Sequence, residues 1–202
     1  MTQRPRQLGR PRTFDHEAAL RQAVRLFWRQ GYDGTSISDL TRATGASPPT
    51  LYAAFGSKEG LYRDALRYYS EHEGCGNTAA FKRGKSALES ITLFLRNAAV
   101  EFTAADRPAG CMVSTGELQC STAHADTARM AATMRAVTIE IFRKRFEQAV
   151  RDGELPARTD SSALARFYGA VVQGMSAQAI DGASVEELNA LADCALSAWP
   201  QR

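Results

Sequence analysis

The 202-residue chain has no apolar run longer than the five residues from Leu51 to Phe55. A membrane-spanning helix needs about 20. No apolar stretch follows the four arginines of the first fourteen residues, so no secretory signal is expected and the chain reads as cytoplasmic. The four cysteines, Cys75, Cys111, Cys120 and Cys194, are widely spaced, with no Cys-x-x-Cys pair and no histidine at metal-ligand distance. That argues against a zinc site and for reduced thiols, mostly small core residues. Histidine is scarce as well: His16, His72 and His124 fall in unrelated segments, none in a His-Glu-x-x-His pattern or beside a motif serine. No strand-length stretch alternates apolar and polar residues, so neither a sheet nor a phosphate loop following a strand is expected. These absences speak against an enzyme, a metal centre or a bound cofactor.

What is present is 44% hydrophobic residues, enough for a packed core, and an uneven distribution of charge. Residues 1–70 hold eleven Lys and Arg against six Asp and Glu, whereas residues 71–202 hold fourteen against sixteen. A basic first third on a faintly acidic remainder fits a small domain that meets a polyanion, carried by a larger body that does not. The expected division is a flexible basic arm at 1–12, a first domain at 13–70 and a second at 71–202.

Glycine and proline cut the chain into segments suited to helix, which predicts an all-α fold of about nine helices. Asp15 can cap a first helix reaching about Gln30, with Leu20, Ala23, Val24 and Phe27 on its apolar face. Ser36 caps a second, with Asp39 in the capping-box position, and Gly45 ends it after roughly two turns. Ser47 caps a third that opens on Pro48, where a missing N–H costs nothing. Gly56 closes it, and Ser57 caps a fourth from Lys58 to about Ser70. Further helices are expected at 86–103, 110–120, 125–152 and 160–182. Ser184 and Glu187 form a capping box for a last helix that stops before Pro200.

Residues 36–55 carry the functional signal. Two short helices joined by Gly45-Ala46-Ser47 have the layout of a helix-turn-helix, whose second helix lies in the major groove of DNA. Leu40, Leu51 and Phe55 would pack with Phe27, fix the interhelical angle and leave the start of the third helix bare. That start is expected to offer unpaired N–H groups and partial positive charge to phosphate. Thr50 and Tyr52 would reach base edges or phosphate from it. Thr35 and Ser36 would present a similar helix start, and Lys58 a cation for a flanking phosphate. Arg10 and Arg12, next to Gly9 and Pro11, belong either to a solvated tail or to an arm that enters the adjacent minor groove.

In Phe27, Gly31-Tyr32, Thr35-Ser36, Leu40, Gly45-Ala46-Ser47, Leu51-Tyr52, Phe55, Lys58 and Leu61, spread over residues 13–65, the chain resembles the DNA-binding domain of the TetR/AcrR family of transcriptional repressors. The resemblance implies a three-helix DNA-binding head on a larger helical domain that binds a small effector and builds a homodimer. It places Ser47, Thr50 and Tyr52 on the recognition helix, with Pro48 at its start. Tyr52 and Lys58 would each meet a phosphate, while Thr35 and Ser36 anchor the second helix. Pro49 and Ala54 depart from the family, which often carries Gly and His there. A base contact from position 49 can only be apolar, such as one to a thymine methyl. The implied function is a repressor released from a palindromic double-stranded operator by a small effector. The alternative is a helical ligand carrier or adaptor with an incidental basic head, which would lack the steep salt dependence of DNA binding.

For the second domain the resemblance implies two sites that residue types only outline. Val171, Gly174 and Met175, with Leu188, Leu191, Ala195 and Leu196 of the last helix, either pair across a two-fold axis or serve as core within one chain. Such a dimer would hold two recognition helices about one DNA turn apart, roughly 34–36 Å. Phe94, Phe102, Cys111, Met112, Met130, Met134 and Phe167, together with Phe142, either line an apolar effector pocket or are plain core. Cys111 and Cys120 flank the expected helix at 110–120, as inert thiols or as sensors of oxidants or electrophiles.

Overall fold

The computed structural model describes residues 14–116, 118 and 124–201. Among them are nine α-helices and no strand: α1 (His16–Gln30), α2 (Ile37–Thr44), α3 (Pro48–Phe55), α4 (Lys58–Tyr68), α5 (Cys75–Arg83), α6 (Ala87–Phe102), α7 (Ala125–Arg151), α8 (Ser161–Ile180) and α9 (Val185–Ser197). A π-helical turn, Tyr69–Glu73, continues α4. The basic arm with Arg10 and Arg12, and also Cys120, lie outside the described residues.

Side-chain caps set the early boundaries. The Asp15 carboxylate accepts from the Ala18 N–H at 2.9 Å at the start of α1. Ser36 and Asp39 close a reciprocal capping box at α2, and Gly45 ends that helix in the left-handed conformation, φ 70°, which favours glycine. Ser47 and Ser57 cap α3 and α4. The four helices close around Val24, Phe27, Leu40, Leu51, Leu61 and Tyr62, all buried, and form the head.

The remaining helices form the body. There α5 packs on α6, α7 on α8, and α9 closes against α6 and α8. Phe94, Phe142, Phe146, Tyr168 and Trp199 build its core, with Phe146 edge-on to Trp199 at 5.4 Å between ring centroids. Phe142 is fully buried among these rings and is core rather than pocket lining. Head and body also meet through the contact of His124 Nδ1, before α7, with the Asp33 carboxylate in the α1–α2 turn, and through the ion pair of Arg25 and Glu73 at 3.2 Å.

Two helix expectations fail. Residues 75–83, for which no helix is expected, form α5, with Gly74 alone between it and the π-turn. Burial of Ala80 and Phe81 against α6, and the Asn97–Asn77 side-chain bond at 2.8 Å, outweigh the poor helix propensity of glycine. Residues 110–116 are an irregular strap instead of a helix. Gly110, φ 74°, donates its N–H to the Phe102 carbonyl at 2.8 Å, and the Cys111 N–H donates to Ser176 Oγ on α8 at 2.8 Å. Arg135 of α7 donates to the Val113 and Gly116 carbonyls at 3.0 and 2.7 Å. With partners drawn from three elements, the strap does not need an internal helical ladder. Of the cysteines, Cys194 is exposed and Cys111 half-buried, so the expectation of mostly core thiols does not hold for these two.

Candidate functional site

The turn Gly45-Ala46-Ser47 sets α3 across α2, with Leu51 and Phe55 facing the head core and Pro48, Pro49, Tyr52 and Ala53 facing solvent. Tyr52 is 47% exposed, the most accessible large hydrophobic side chain of the head among the described residues. Thr50 is half-buried, its Oγ1 2.8 Å from Ser47 Oγ. The expectation that the start of α3 offers unpaired N–H groups is overturned. Pro48 and Pro49 have none, the Thr50 N–H is turned to Ser47 Oγ, and the Leu51 N–H donates to the Ser47 carbonyl at 3.0 Å.

Thr35 is a second correction. It is fully buried, and its hydroxyl donates to the Gly31 carbonyl at 2.7 Å, so it braces the α1–α2 turn and cannot touch DNA. Ser36 beside it is exposed, its hydroxyl donating to Asp39 Oδ2 at 2.6 Å. That hydroxyl, and after it the Ser36 N–H, hold the Asp39 carboxyl below its ordinary value. Lys58 opens α4 half-buried, its ammonium 4.1 Å from the centre of the Tyr32 ring. Arg42, unremarked in the sequence reading, has a side chain 78% exposed. Its signal was available, since two residues after the buried Leu40 a helical side chain points away from the core.

In the body a cavity of about 250 Å³ lies under the strap. Phe94, Phe102, Cys111 and Met134 line it together with Tyr69, Val172 and Gln173. Besides Phe142, three of the expected pocket residues do not. Met112 points the opposite way and is buried in the head core. Met130 lines an open groove between α4 and α7, and Phe167 is 41% exposed on the outside of α8. Tyr69 was missed, because its place on the π-turn is set by packing that local sequence does not encode. Its hydroxyl donates to Cys111 Sγ at 3.2 Å, and the Ser114 N–H points at the same sulfur at 3.4 Å. Burial, and after it the Cys111 sulfur, push the Tyr69 phenol well above its ordinary value, so it remains a donor.

Of the expected interface residues, Val171, Gly174, Leu191 and Leu196 are partly exposed, beside the exposed Ala170, Ala190 and Cys194. Met175 and Leu188 are fully buried in the core of one protomer. Ala195 is buried too, its carbonyl accepting from the Tyr168 hydroxyl at 3.2 Å. These three hold α8 and α9 together and are unavailable to a partner. Among the described residues no group of three or more His, Cys, Asp or Glu could hold a metal ion, and no helix is long and apolar enough to cross a membrane.

Residues 19–65 match the profile of the bacterial regulatory proteins of the tetR family. The chain is 38% identical over 197 residues to the HTH-type transcriptional repressor ComR of Escherichia coli (strain K12), covering 96% of this chain and 92% of that protein. It is 31% identical over 185 residues to the HTH-type transcriptional repressor BdcR of the same organism, covering 91% and 88%. Among solved structures, a cysteine mutant of the TetR family transcriptional regulator CifR, complexed with 26-base-pair double-strand operator DNA, superposes with a TM-score of 0.90 at 40% identity, covering 95% of this chain and 100% of that one.

Proposed function

The chain belongs to the tetR family of bacterial regulatory proteins, and on that premise we propose that it is a sequence-specific transcriptional repressor, released from a palindromic operator when a small effector fills the body cavity. In this reading residues 13–70 are the DNA-binding head and residues 71–202 the effector-binding and dimerisation body. The start of α3, with Ser47, Pro48, Thr50 and Tyr52, enters the major groove, while Ser36 and Lys58 flank it against phosphate and Arg10 and Arg12 reach the minor groove. Two chains meet through the outer faces of α8 and α9, Val171 and Gly174 of one helix beside Leu191 and Leu196 of the other, and a two-fold axis between them matches a palindrome. No catalytic step enters this reading, and its DNA partner puts it in the cytoplasm.

The observation that carries the proposal is the strap at 110–116. Cys111 and Ser114 face the cavity, whereas Met112 between them is buried, 3% exposed, in the head core. A ligand that displaces the cavity wall therefore moves a side chain on which the head is packed. Such a ligand shifts operator affinity only as far as it prefers one arrangement over the other. The adaptor reading has no use for this link, and the relatives named as repressors weigh against it.

Titrating the protein with a duplex carrying the palindrome nearest its own gene, over a range of salt, tests this. Operator affinity should fall with a log–log slope of about −0.9 per phosphate neutralised. The Tyr52→Phe variant should weaken specific and non-specific duplexes alike. Binding that ignores salt, or no binding to duplex DNA, would overturn the reading.

A further inference from the structure

The exposed face of α3 has no side chain able to make the bidentate hydrogen bonds by which proteins usually read guanine or adenine. Pro48–Phe55 contains no Arg, Lys, Asn, Gln, Asp or Glu. Pro49, Tyr52 and Ala53 share one solvent-facing stripe, at helical spacings of three and four, with Pro48 at the tip. The backbone supplies no substitute, since both prolines lack an N–H and the next two N–H groups are turned to Ser47. The nearest hydroxyl, that of Thr50, is paired with Ser47 Oγ. With the Tyr52 hydroxyl assigned to phosphate, what the tip offers a groove floor is carbon: two pyrrolidine rings and the Ala53 methyl group.

The major groove displays one apolar base feature, the C5 methyl of thymine. Packing a proline ring on that methyl removes both from water. Pressing the same ring on a G·C edge would strip polar groups of water and return nothing. Proline also has no side-chain rotamers to lose, so the contact orders little on binding. We propose that Pro49, supported by Pro48 and Ala53, is the specificity-determining surface of the head and that it selects thymine through its methyl group. Each operator half-site then carries thymine where the tip of α3 meets the groove floor, and phosphate contacts come from the surrounding head. This rests on the reading of the head as a DNA reader, and it names what that head reads.

The test starts with an operator duplex selected by the full-length protein from a randomised library. The selected duplex is rebuilt with deoxyuridine in place of thymidine, one position at a time, which keeps the hydrogen-bonding edge and deletes only the methyl. At one or two positions in each half-site the change should weaken binding roughly fourfold per methyl, and about 15-fold when both half-sites are altered. The Pro49→Ala protein should lose most of this discrimination while keeping the wild-type salt slope. Equal affinity for thymidine and deoxyuridine duplexes at every position would overturn the proposal and leave operator binding intact. Failure to select any sequence would remove its premise and the proposal with it.

Discussion

In the head, α1, α2, α3 and α4 each open on a capping side chain, Asp15, Ser36, Ser47 and Ser57, and none is longer than the 15 residues of α1. In the body, α5 and α7 open with no side-chain cap, and α7 runs for 27 residues. The head is thus a set of locally specified pieces, whereas much of the body takes its shape from packing between distant segments. That difference suits the roles proposed for them. A reader of DNA gains from a fixed geometry, and a responsive body needs an element that local sequence has not already committed. The strap at 110–116 is such an element.

The largest blow to the head would come from Phe27→Ala. Phe27 is 2% exposed and stands edge-on to Tyr62 at 5.1 Å, so its loss should cost about 3–5 kcal/mol by urea unfolding and abolish operator binding. Met112→Ala probes the join between the two regions. It should cost about 2–4 kcal/mol, although the residue lies in the sequence of the body. The loss should be as large in a Trp199→Phe background, where Trp28 reports on the head alone. A loss seen only by Trp199 would contradict the head-core assignment.

Helix caps sharpen the contrast at a smaller scale. Ser47→Ala and Asp160→Ala should each cost about 1 kcal/mol, since Asp160 accepts from two N–H groups at the start of α8 and Ser47 caps α3. Only the Ser47 change should also weaken operator binding. Acid should act more gently still on the head. Because Ser36 holds the Asp39 carboxyl below its ordinary value, the capping box contributes stability above the unfolded-state pKa of about 3.9 and loses it as pH falls through the lower folded value. The stability gap between wild type and Asp39→Asn should therefore be widest near pH 6 and close as the pH drops below about 4, measured by urea unfolding at each pH.

How much of this could be read in advance follows the same division. The caps and turn of the head were legible because Asp15, Ser36, Gly45, Ser47 and Ser57 act through bonds within three or four residues. Even there, the buried Thr35 escaped, since a threonine before a capping serine gives no hint that its hydroxyl turns back to Gly31. The donor-free start of α3 was written in the proline pair and yet was read as a phosphate cradle. In the body, Phe94, Phe102, Cys111 and Met134 do come together around the cavity. Met112 and Phe167 could not be told from them by residue type. On an irregular strap adjacent side chains face different cores, and only tertiary packing decides which. Met175 and Leu188, open in the sequence between interface and core, prove to be core, because apolar spacing marks a buried face without saying whether the same chain buries it.

The claim on which the account turns is that filling the cavity loosens the grip of the head on DNA, and it can be tested without knowing the effector. In a protein with Cys75, Cys120 and Cys194 changed to serine, methyl methanethiosulfonate would add a small methylthio group to Cys111, on the cavity wall. Operator affinity is then measured before and after complete labelling verified by mass. The account predicts at least a tenfold loss on labelling, restored by reduction and absent in a Cys111→Ser control. Unchanged affinity in fully labelled protein would contradict it.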